Sequence, residues 1–107
     1  MAYSVRATKT FEDEYDAVLG YVVEKLKAPQ AARTLNEALK DARRALAENP
    51  LLHAVSRKPL LEHLELRERL VRNYVVVYRV EEQMVYLEHI FHQTQDYERY
   101  FDEVRAE

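Results

Sequence analysis

The sequence contains no cysteine and only one glycine in 107 residues. Without cysteine there is neither a disulfide framework nor a thiolate nucleophile, and a zinc site would have to be built from histidines and carboxylates alone. The lone glycine, Gly20, sits inside a helical pattern, so glycine-rich loops that cradle phosphates are excluded. No apolar run approaches the roughly 20 residues of a membrane-spanning helix, and Met1 to Arg6 lacks the apolar core of a secretion signal. A soluble cytoplasmic protein with no cofactor and no membrane partner is the expectation. The length suits one domain over residues 1–107, near the small end of what buries an adequate core.

What is present is organised around Leu64 to Phe91, where three apolar alternations follow one another with little between them. In the first, Leu64, Leu66 and Leu70 share one face while Glu65, Arg67, Arg69 and Val71 share the other. The second, Tyr74 to Val80, is β-branched or aromatic at nearly every position, as a strand buried on both faces requires. The third sets Met84, Tyr86, Glu88 and Ile90 against Val85, Leu87, His89 and Phe91. Connections as short as Arg72-Asn73 and Glu81-Glu82-Gln83 join only antiparallel neighbours, so a three-stranded meander is predicted.

Ahead of the meander, Tyr3 to Thr8 reads as a short edge strand. Thr10 is a candidate N-cap, and Phe11, Tyr15, Val18, Leu19, Val22 and Leu26 form one helical stripe. Ala28-Pro29 breaks that helix and opens another, whose seam is Ala28, Ala32, Leu35, Leu39, Ala42 and Leu46; Asn49-Pro50 ends it. Leu51 to His63 has no clear period, and an unpatterned connection of that length points to function or mobility. Beyond the meander, Thr94 can cap a last helix carrying Tyr97, Tyr100, Phe101 and Val104. The predicted fold is α+β in the order β-α-α-β-β-β-α, with a helical hairpin on one face of an antiparallel sheet and a C-terminal helix.

The net charge of −3 is unevenly spread. Residues 1–51 carry eight basic and eight acidic side chains, residues 52–80 six and three, and residues 81–107 two and eight. The basic middle can face an anionic partner, or it can be an ordinary solvated face.

The joint order of Tyr3 to Thr8, a helix opened by Phe11, Pro29-x-Ala-Ala, Asn49-Pro50, Leu66-Arg67, Asn73 to Val80, Ile90-Phe91-His92 and Asp96-Tyr97 resembles the RelE/ParE superfamily of bacterial type II toxins over nearly the whole chain. The resemblance implies a small toxin neutralised by an antitoxin encoded beside it, whose extended segment wraps the toxin's helices and sheet. RelE-type members cleave messenger RNA on the ribosome; ParE-type members inhibit DNA gyrase and are not nucleases.

A metal-free RNase needs a base for the 2′-hydroxyl, an acid for the leaving oxygen and cations for the phosphate. Arg67 and Arg69, two apart on one strand face, can grip a single phosphate, and Arg67 matches the arginine that family members carry before the central strand. The alternative is that both are solvated or paired with Glu65 and Glu68. By resemblance, His92 and Tyr97 are the acid and base candidates; structurally, His92 caps the last helix with Thr94, and Tyr97 belongs to that helix's apolar stripe. His89 reads as a core histidine, and His89 and His92 point to opposite faces, which argues against zinc.

Arg57 and Lys58, with His53 and His63 in the same loop, fall where nuclease members contact RNA. Arg57, Lys58, Arg69, Arg72 and Arg79 make up the expected nucleic-acid-binding set. Two departures oppose catalysis: Val75 stands where many RNA-cleaving members carry arginine, and the chain is acidic overall. The sequence favours ribosome-dependent mRNA cleavage, with ribosome and mRNA as partners. Gyrase inhibition is the alternative, and a non-toxic co-repressor that binds the antitoxin is a third reading.

Overall fold

A computed structural model describes residues 2–52, 56, 58, 61–62, 64–95 and 97. The elements are β1 (Ser4–Ala7), α1 (Lys9–Gly20), a π-helical turn (Tyr21–Lys25), α2 (Pro29–Glu48), β2 (Arg67–Val71), β3 (Tyr74–Glu81) and β4 (Met84–His92). The predicted C-terminal helix lies outside the described residues.

Thr8, not Thr10, caps α1: its Oγ1 accepts the Phe11 N–H at 3.1 Å, and its own hydroxyl donates to the Leu87 carbonyl. The apolar stripe is buried or half-buried from Phe11 to Val22, but past Gly20 the chain loosens into the π-helical turn and Leu26, expected on the stripe, is exposed. Lys27 then takes a left-handed φ of 53°, and its neighbour's Ala28 N–H returns to the Val22 carbonyl. Pro29 opens α2 at the first helical position, where its missing N–H goes unused. The predicted seam of Ala32, Leu35, Leu39, Ala42 and Leu46 is the buried face of α2.

The meander forms as expected, with β3 antiparallel to both β2 and β4. Its left-handed turn residues are Arg72 (φ 57°) and Glu82 (φ 55°). Sheet order is β1-β4-β3-β2. The antiparallel expectation holds for the meander only, because β1 joins the sheet parallel to β4, Ser4 opposite Met84 and Ala7 opposite Leu87. A parallel pair needs a long crossover, and the helical hairpin with β2 and β3 lies in the chain between β1 and β4.

Two other expectations shift. β2 begins at Arg67, because Glu65 adopts a left-handed φ of 57° and puts Leu64–Leu66 in a turn. In β4 the simple alternation breaks at a bulge, where the register against β3 slips between Val77 and Tyr78. One extra residue turns Ile90 back to the side of Val85 and Leu87, and leaves His89 with Phe91 on the other.

The sheet is therefore apolar on both faces. Val71, Val76, Tyr78, Val85, Leu87 and Ile90 pack with Phe11, Leu35, Leu39 and Leu46 under the helices. On the back face, Val75, Val77 and Phe91 pack with Leu61, Leu66 and Tyr97. Each fully buried aliphatic or aromatic side chain contributes about 1.5–3 kcal/mol. No helix among the described residues is long and apolar enough to cross a membrane.

Candidate functional site

On the back face a polar cluster is set into the second apolar patch. Glu68 projects there from β2, because the register pairs it with Val77 and leaves Arg67 and Arg69 to the opposite side. Lys58 Nζ donates to Glu68 Oε2 at 2.9 Å and to the Tyr97 hydroxyl at 2.7 Å, and the Tyr97 hydroxyl in turn donates to the same Glu68 oxygen. Ser56 braces the loop: its N–H donates to the Leu66 carbonyl and its Oγ accepts from the Lys58 N–H.

The electrostatics follow from that closure. Burial alone would raise the Glu68 carboxyl, but hydrogen bonds from Tyr97, Lys58 and Ser56 more than offset it, and the carboxyl titrates below the ordinary glutamate range. Burial of the Tyr97 phenol, reinforced by its bond to Glu68, pushes it up. Lys58 is also raised: burial opposes its charge, and its contacts with Tyr97 and Glu68 outweigh that. The cluster is thus a neutral phenol held between a closed ion pair.

Tyr97 stacks on Phe91 at 5.1 Å and 4°, and Phe91 on His89 at 5.3 Å and 17°. At the far end of this row His89 Nδ1 lies 3.1 Å from Glu14 of α1. In the sequence Glu68 stands only as a partner for Arg67 and Arg69, and His89 as a core histidine. The separations of 10 and 29 residues that bring Lys58 and Tyr97 onto Glu68 have no local signature.

The sheet separates the three residues expected to form a catalytic set. Arg67 and Arg69 do share a face, as expected, but it is the helix side, next to Tyr78 and Val76, where their charges act on the buried Tyr78 phenol. His92 ends β4 on that same side, edge-on to Tyr74 at 5.3 Å, with its Nδ1 accepting the Thr94 N–H at 3.2 Å. Tyr97 is on the back. Arg79 is held by Glu81 and Glu88 and lies over the Tyr86 ring. Arg72 is exposed in the β2–β3 turn; Arg57, His53 and His63 lie outside the described residues. Among the described residues no three histidine or carboxylate side chains gather as a metal site would require.

Arg72 and His92 border a cavity of about 520 Å³ between the tip of the helical hairpin and the end of the sheet. Tyr21, Tyr74 and His92 also line a neighbouring hollow of about 400 Å³, so the two form one groove.

The family model for the ParE toxin of type II toxin-antitoxin systems, parDE, matches residues 5–97. A solved structure of the chromosomal ParDE toxin-antitoxin system from P. aeruginosa has a similar fold, with a TM-score of 0.65 at 17% identity over 85% of this chain and 96% of that one. No curated protein matches the sequence.

Proposed function

Because the chain belongs to the ParE toxin family of type II toxin-antitoxin systems, we propose that it arrests growth by inhibiting DNA gyrase and does not cleave messenger RNA. Membership in a toxin-antitoxin family implies a cognate antitoxin as partner. The observation that carries the gyrase reading is the position of Glu68. An RNA phosphate brought to the back face meets a carboxylate already bonded to the nearest cation and the nearest phenol. Transfer of the Tyr97 proton or release of Lys58 would have to break that closure, and metal-free phosphoryl chemistry needs the reverse, an excess of positive charge around the reacting oxygens. Arg67 and His92, on the other side of the sheet from Tyr97, add nothing to the cluster. Val75 and the acidic total agree with this reading.

The test is pulsed expression in growing bacteria, with labelled thymidine and labelled amino acids followed separately and RNA 5′ ends mapped. Supercoiling by purified gyrase is measured in parallel. Early loss of DNA synthesis and of supercoiling, with translation intact, is expected. New mRNA ends within codons and unimpaired supercoiling would reverse the assignment.

A further inference from the structure

From the groove at the hairpin tip we infer a binding site for a free nucleoside 5′-phosphate, with its base on Tyr21 and the apolar floor and its phosphate on Arg72 and His92. Binding here is independent of the target on which the toxin acts. Three groups that line the groove are left open. The Tyr21 ring is 55% exposed where α1 loosens into the π-helical turn, and it has no aromatic or cationic partner among the described residues. Such turns recur at functional sites. Arg72 makes no ion pair among the described residues. His92 accepts the Thr94 backbone N–H on Nδ1, and a backbone amide only donates, so the neutral ring carries its hydrogen on Nε2. No acceptor among the described residues meets that Nε2–H.

Charge selects an anion. The chain has 19 acidic residues, yet among the described residues no aspartate or glutamate lines either hollow. Lys25 and Lys27 add positive charge at the hairpin tip. A guanidinium and an imidazole N–H, with the Asn73 amide beside them, suit the several oxygens of a phosphate. A bare anion would leave the rest of the groove unused. Val22 and Leu35 are buried and floor it, and the Tyr21 and Tyr74 rings stand where the two hollows join. A tyrosine face is a platform on which any base stacks. Small-molecule clefts measure about 300–1,000 Å³, and the larger hollow alone holds about 520 Å³. A planar base with a phosphate one sugar away therefore satisfies both halves of the groove. Arg72 and His92, which the gyrase reading leaves without a role, both serve it.

The experiment titrates the full-length chain with adenosine monophosphate, adenosine, ribose 5-phosphate and inorganic phosphate, by calorimetry and by amide chemical shifts. Circular dichroism verifies that each variant is folded. Adenosine monophosphate is expected to bind at least about tenfold more tightly than any of its three fragments, because only it uses both halves of the groove. Arg72→Gln should weaken the nucleotide at least about tenfold and leave adenosine within about twofold. Tyr21→Ala should weaken both at least about fivefold. Leu70→Asp, exposed on β2, should change neither. Shifts should gather at Tyr21, Val22, Leu35, Arg72, Tyr74 and His92. No saturation up to about 10 mM nucleotide would overturn the assignment, as would shifts confined to other parts of the chain. Inorganic phosphate binding as tightly as the nucleotide overturns it too, and so do folded Arg72→Gln and Tyr21→Ala that bind like wild type. A thymidine pentanucleotide that binds more than about tenfold tighter than thymidine monophosphate makes single-stranded nucleic acid the occupant and overturns the free nucleotide.

Discussion

Glu14 of α1 reaches over the sheet edge and accepts the Ile90 backbone N–H at 3.0 Å. β1 pairs with β4 only as far as Leu87, so the upper part of β4 has no strand beside it there, and the carboxylate occupies a position another strand would take. Charge-assisted bonds of this type contribute about 1.5–3 kcal/mol. Glu14→Ala should destabilise the chain by about that amount in urea denaturation, whereas exposed Glu12→Ala should change stability by under about 0.5 kcal/mol.

The Lys58–Glu68–Tyr97 closure predicts how stability depends on pH. Glu68 titrates lower in the folded chain than in the unfolded one, so its contribution is complete above the ordinary glutamate value and is lost as pH falls through the lowered one. Tyr97 and Lys58 are raised, so theirs is present below the ordinary tyrosine and lysine values and is lost as pH rises through the raised ones. Glu68→Gln should flatten the acid limb of the stability curve. It should also flatten the alkaline limb, because the phenol and the ammonium lose the carboxylate charge that helps raise them and their folded titrations move back toward the ordinary values.

Tyr15, Tyr78 and Tyr97 are all raised by burial among the eight tyrosines. Tyrosinate absorbance should therefore show a late component on alkaline titration. Tyr97→Phe keeps the Phe91 stack and should shrink that component by one tyrosine; an unchanged late component would remove Tyr97 from the cluster.

Tyr78 is fully buried, and its hydroxyl donates to the Pro50 carbonyl at 2.9 Å. Tyr78→Phe leaves that acceptor without its donor and should cost about 1–3 kcal/mol by chemical denaturation.

Gly20 has a helical φ of −59°, and a Cβ added there meets nothing within 4 Å. Gly20→Ala should raise stability by about 0.5–1 kcal/mol and leave antitoxin binding intact, since the gain comes from restricting the unfolded chain.

Elements governed by local period were legible in the sequence. The stripe from Phe11, the seam from Ala32 to Leu46 and the meander rest on spacings of two or of three and four, which burial on a strand or helix enforces, and the Pro29 and Asn49-Pro50 boundaries rest on proline's locked φ and missing N–H. Features set by a single backbone residue were not. The bulge beside His89 displaced half of β4 from its expected face, and the left-handed Glu65 shortened β2. The co-facial placement of Arg67 and Arg69 was legible, because it needs only a period of two. Which side of the sheet they share was not, since both sides are apolar. Lys58, Glu68 and Tyr97 meet only through tertiary structure, so no spacing could announce them.

The pairing of β1 with β4 also sets an order of events during synthesis. Thr8 and Leu87, which bond to each other, are 79 residues apart, and β4 is flanked by the first strand on one side and the middle of the meander on the other. While the chain emerges from the ribosome, the helical hairpin can form early, but the sheet has no centre until β4 follows. Contacts so distant in sequence are slow to close. The nascent chain therefore lacks a completed sheet through most of its translation, an interval in which antitoxin already present can meet the folding chain.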